Sequence, residues 1–100
     1  MAISQKSADF LIQSRLAEAE AGDVDALFDL GVTYSTGRGG CTVDLIEAHK
    51  WFNLAALNGD TRSQQCRAEI SHEMTAREIA EAQRGARAWL AATSGVARAA

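Results

Sequence analysis

The dipeptide Gly22-Asp23 returns 37 residues later as Gly59-Asp60, and each copy ends one apolar run at helical spacing and begins another. Glycine closes a helix by taking the left-handed conformation. The aspartate after it caps the next helix by accepting from that helix's first free amides. A stop-then-start signal at this period marks stacked helical hairpins, each too small to bury its apolar face alone. No proline interrupts the chain, and few β-branched runs suggest strands. An all-α fold of about five helices follows from the count of such signals.

Periodicity places the elements. A first helix is predicted over residues 5–21, with Phe10, Leu11, Ile12 and Leu16 as its apolar stripe and Ala17 and Ala19 at close approaches. Asp23 opens a second helix reaching about Ser35, in which Ala26, Leu30 and Tyr34 share one face, flanked by Leu27 and Phe28. Gly31 lies beside Leu30. A helical glycine costs roughly 1 kcal/mol against alanine, so it points to another helix approaching there. The glycine-rich stretch from Thr36 to Val43, with Gly37, Gly39 and Gly40, turns the chain back. Asp44 and Glu47 have capping-box spacing and open a third helix to about Asn58, whose stripe is Ala48, Trp51, Phe52, Ala55 and Ala56. A weaker fourth helix over residues 60–73 offers Cys66 and Ile70. Thr75 and Glu78 form a second capping box, opening a helix to Ala92 with Ile79, Ala82, Ala86, Trp89 and Leu90 on one side. The domain spans residues 1–92, and residues 93–100 read as a flexible tail.

Composition narrows the functional classes. The chain has 100 residues, enough for one domain, and 47% of them are apolar, many being alanine. Net charge is −3, so no global field favours nucleic acid or an anionic membrane. Residues 1–60 hold nine acids against four bases, and residues 61–100 hold four acids against six bases. Two solvated faces account for this, or a head-to-tail contact between copies. No window has the length and apolarity of a membrane span. The first residues lack the apolar core of a secretion signal. Cys41 and Cys66 form no framework of close pairs, which fits a reducing compartment, the cytoplasm.

Candidate chemistry is sparse. Gly37-Arg38-Gly39-Gly40 lacks the lysine and the Ser/Thr that a phosphate loop requires, and reads as a turn. His49 and His72 belong to no metal-binding pair and read as surface or helix-end residues. Cys41, a loop thiol near Arg38, has no paired base in sequence reach. Arg77, Arg84, Arg87 and Arg98 are interleaved with Glu78 and Glu81 and read as a solvated face. No nucleophile–base pair, metal set or cofactor motif is present, so a non-catalytic role without cofactor is predicted.

The segment carrying Gly22, Ala26, Leu30, Gly31, Tyr34, Gly37, Gly39, Asp44, Ala48, Trp51, Ala55, Ala56 and Gly59 resembles a Sel1-like repeat, a relative of the tetratricopeptide repeat. The run from Met74 to Trp89 also resembles a segment that follows the last repeat in small bacterial proteins of this family. In the next unit Ser63, Arg67, Ala68 and Ser71 stand where Ala26, Leu30, Gly31 and Tyr34 stand in the first. The region between Gly39 and Asp44 is one residue longer than the family commonly has. The resemblance implies one complete repeat over residues 22–58, capped by the helices at 5–21 and 75–92, in a short right-handed superhelix. It implies an adaptor or regulator that holds a protein segment in a groove between the second and fourth helices. Asp25, Leu27, Asp29, Thr33, Arg62 and Arg67 are the contact candidates. The alternative is a structural module in which copies stack end to end through the incomplete repeats.

Overall fold

Local capping sets the helix boundaries. In the computed structural model, which describes residues 5–99 and the side chains of residues 8–93, the helices are α1 (Gln5–Glu20), α2 (Val24–Thr36), α3 (Leu45–Leu57), α4 (Thr61–Ser71) and α5 (Ala76–Ala99). A single 3-10 turn, Arg38–Gly40, follows α2, and no strand occurs among the described residues. The Asp23 carboxylate accepts from the amides of Asp25 and Ala26, and the Asp44 carboxylate accepts from those of Ile46 and Glu47. Thr75 and Glu78 complete a reciprocal box: the Thr75 amide donates to Glu78 Oε1 at 2.8 Å, and the Glu78 amide donates to Thr75 Oγ1 at 3.1 Å. At Gly37, φ is +77° and an added Cβ would lie 3.0 Å from the Cys41 carbonyl oxygen, so only glycine closes α2 without strain.

One expected box and one expected cap form differently. Glu47 does not reach back to the Asp44 amide, which instead donates to the Tyr34 carbonyl at 2.9 Å. The Glu47 carboxylate takes Lys50 at 3.0 Å and the Trp51 indole N–H at 3.3 Å. Asp60 stands at the start of α4 but makes no side-chain bond to its amides. Its carboxylate accepts from Arg62 Nε at 2.9 Å and from the Ser63 hydroxyl. Burial alone would raise its pKa, but the Ser63 and Arg62 hydrogen bonds hold it below the usual carboxylate value.

The core lies where α2, α3 and α5 meet. Leu30, Trp51, Leu54, Ala55 and Ala86 are buried there, and Phe52 is buried on the side of α3 that faces α2 and α4. Phe28 and Phe52 sit 5.9 Å apart between centroids, and Trp51 meets Trp89 edge-on at 4.8 Å. Gly31 rests on the Phe52 ring; a Cβ there would be 2.5 Å from two ring carbons. The close approach expected at Gly31 is therefore made by a side chain of α3.

The 37-residue echo becomes a contact in space. Arg62 Nη2 donates to Asp25 Oδ1 at 2.8 Å, joining residues 37 apart in the chain. Equivalent first turns of α2 and α4 thus lie side by side.

Three expectations change. Phe10 is 71% exposed and Leu11 also faces outward, whereas Ala8, Ile12, Leu16 and Ala19 turn inward. At 100° per residue, three consecutive apolar side chains cannot share one narrow interface, and α1 packs mainly on α2 and the 3-10 turn. Of the alanines of α1 expected at close approaches, Ala19 is buried and Ala17 is exposed. Helix α5 continues to Ala99, past Ala92 and through Thr93, Ser94 and Gly95, with no proline to interrupt it. His49, read as a surface or helix-end residue, is buried within α3. Its stripe faces α4, a side that the core-facing pattern of α3 did not reveal.

Candidate functional site

The six predicted contact residues do not form one open groove. Asp25 and Arg62 are exposed but bonded to each other across α2 and α4. The Arg62 guanidinium also lies 4.1 Å from the centroid of Phe28. Asp29 turns the other way, to Arg15 at 3.2 Å and Arg38 at 3.5 Å. Arg67 reaches back to α3, donating to Asn53 Oδ1 at 2.5 Å. Thr33 is buried. Leu27, picked as a surface contact, is only 5% exposed and belongs to the core cluster. Its i, i+3 relation to Leu30 puts it on the buried arc, and the apolar side chain is there for packing.

Farther along the same two helices an apolar hollow of about 200 Å³ does open, lined by Val32, Ser35, Thr36, Phe52, Cys66, Glu69 and Ile70. None of the six predicted residues lines it.

A larger cleft lies on the opposite side of α3. It measures about 370 Å³ and is bounded by the last turn of α1, the ends of α2 and α3 that meet there, and α5. Leu27 and Leu54, both buried, form its floor, and Ala19, Trp89 and Leu90 form its walls. Glu20, Asn58 and Thr93 supply a polar rim. A second hollow of about 350 Å³ shares Glu20, Trp89 and Thr93 with it and continues to Ala92. The cleft exists because α3 ends at Leu57 while α5 runs on to Ala99, leaving part of the α5 apolar face without a neighbouring helix. An apolar floor with a few polar groups at the mouth suits an apolar side chain presented by a partner.

The sequence carried a signal for this cleft. Trp89 and Leu90 are adjacent, about 100° apart on the helix, so the α5 apolar face is too wide for α3 alone to cover. Leu90 is accordingly 36% exposed.

Reactive chemistry does not gather at either hollow. Burial pushes the Cys41 thiol pKa up, and the carboxylates of Asp44 and Asp9 add to the effect, so its reactive thiolate form is disfavoured. The Cys66 thiol is raised by burial and then by Glu69. Both cysteines are free. Among the described residues no group of three or more His, Cys, Asp or Glu side chains could hold a metal ion. Among the described residues no helix is long and apolar enough to cross a membrane. No family model, curated protein or solved structure matches the chain.

Proposed function

We propose that this chain is a non-catalytic, Sel1-like helical-repeat module that binds a protein segment, with an apolar anchor of the partner seated in the cleft between α1 and α5. The observation that carries this reading is the cleft itself: about 370 Å³ over Leu27 and Leu54, walled by Trp89 and Leu90 and rimmed by Glu20, Asn58 and Thr93. Aromatic walls around a desolvated pocket are where interfaces concentrate their binding energy. The superhelical reading draws support from the Asp25–Arg62 bond, which sets α2 and α4 in register at the repeat period. Placement in the cytoplasm draws support from the two free thiols.

Leu90→Arg puts a charge at the mouth of the cleft without touching its floor. Ile70→Arg does the same to the hollow between α2 and α4. Recovery of partners from the source organism with the two variants, each checked for unchanged helix content, separates the sites. The cleft reading expects Leu90→Arg to lose a partner that Ile70→Arg retains. The reverse pattern transfers the site to the α2–α4 hollow, and loss by neither variant overturns the cleft. A partner that engages the cleft should also shift the fluorescence of Trp89, which meets Trp51 edge-on.

Apolar end-to-end stacking of copies is less well supported. Among the described residues the exposed large apolar side chains, Phe10, Leu11, Val43, Leu57 and Leu90, are spread over α1, the loop before α3, the end of α3 and α5, and α4 exposes none.

A further inference from the structure

His49 is an ionisable side chain buried within α3, one turn before Asn53 and within the field of Arg67. It is 3% exposed, and its Nδ1 finds no protein hydrogen-bond partner among the described residues. Asn53, one turn farther along α3, accepts from Arg67 of α4, so the stripe that carries both residues faces α4. Of the charged groups on α2, α4 and α5, the helices packed against α3, Arg67 is the one whose field acts on the imidazole. A proton on His49 would therefore put a buried positive charge beside a second positive charge, and among the described residues no carboxylate forms an ion pair with either.

We propose that His49 is an acid-sensitive latch on the contact between α3 and α4: neutral, it lets α4 dock, and protonated, it releases α4 from the stack. The direction follows from linkage. Burial, and then the Arg67 charge, lower the pKa of His49 in the folded chain below the ordinary value of 6.5. The docked state therefore binds fewer protons than the released one. The stabilising contribution is complete above about pH 6.5 and declines as pH falls below it, by at most about tenfold in the docked-to-released ratio per pH unit, until the docked imidazole itself takes a proton. The device does not depend on the cleft reading, since no cleft-lining residue lies on α4.

Amide hydrogen exchange on the full chain from pH 7.5 to 5.0, corrected for intrinsic rates, tests it. This window lies above the ordinary carboxylate range, and the His49→Met variant separates the contribution of His49 from that of His72, the C-cap of α4. Protection of α4 amides should fall up to about tenfold per pH unit below 6.5, ahead of α2, and His49→Met should abolish that dependence. In a parallel titration by NMR, the His49 ring should titrate below 6.5 while α4 amides remain protected. Equal loss in α2 and α4, an undiminished slope in His49→Met, or a His49 ring that titrates near 6.5 while α4 stays protected each overturns the latch. Should His49→Met fail to fold, exchange and titration of the unmodified chain decide the question alone.

Discussion

Two glycines inside helices look alike in the sequence and meet opposite neighbours. Gly31 faces the Phe52 ring, where a Cβ would lie 2.5 Å from two carbons of a fully buried side chain already packed on Phe28. Alanine gains roughly 1 kcal/mol of helix propensity, but overpacking a core costs about 1–3 kcal/mol. Gly31→Ala should therefore destabilise the chain, and chemical denaturation will show a lower midpoint. Gly85 faces only the Lys50 side chain, 2.9 Å from Cδ and able to move. Gly85→Ala should raise the midpoint, by up to about 1 kcal/mol. A gain from Gly31→Ala would mean that α2 and α3 pack less tightly than described. Gly31 was legible as a packing position, because an internal glycine among apolar residues asks for a reason. That its neighbour is Phe52, and that Gly85 is the tolerant one, depends on which helices meet.

At the scale of elements, the beginnings of helices were readable and some ends were not. Asp23, Asp44 and Thr75 each cap through bonds that span two or three residues, so the chain alone specifies them. The reciprocal Thr75–Glu78 box should make Thr75→Ala cost about 1 kcal/mol, measured as a loss of α5 helicity and a lower unfolding midpoint. Asp60→Ala acts by another route, since Asp60 caps no amide and instead joins Arg62 and Ser63. Its folded-state pKa lies below the unfolded value, so its contribution is present above about pH 4 and fades as pH falls through the depressed value. Acid unfolding of Asp60→Ala should show a shallower loss than the parent chain below that pH. The far end of α5 lies beyond Ala92 because Thr93, Ser94 and Gly95, which read locally as a stop, fall inside the helix. The stripe of α1 was misjudged because three adjacent apolar residues offer more than one inward face, and α2 chose among them.

For the molecule as a whole, stability should be graded along the stack. Helix α1 packs mainly on α2 and the 3-10 turn, whereas α3 packs on α2, α4 and α5. Linear stacks lose their ends first. Hydrogen exchange at neutral pH should find α1 least protected and the α2–α3 pair most protected. The Trp51–Trp89 contact ties α5 to this centre, and a double-mutant cycle to leucine should return a coupling of about 0.5–1.5 kcal/mol. What the chain determined by itself was helical content, the caps at Asp23, Asp44 and Thr75, the turn at Gly37 and most of the α2 and α3 core, since these follow from periodicity and from interactions between near neighbours in sequence. Only the tertiary structure decided that Leu27 and Thr33 turn inward, that Asp25 and Arg62 satisfy each other, and that His49 is buried facing α4. It alone placed the cleft, which arises from two helices of unequal length. A side chain's exposure depends on which other helix stands opposite it, and helix–helix placement is a sum over long-range contacts that no local window contains.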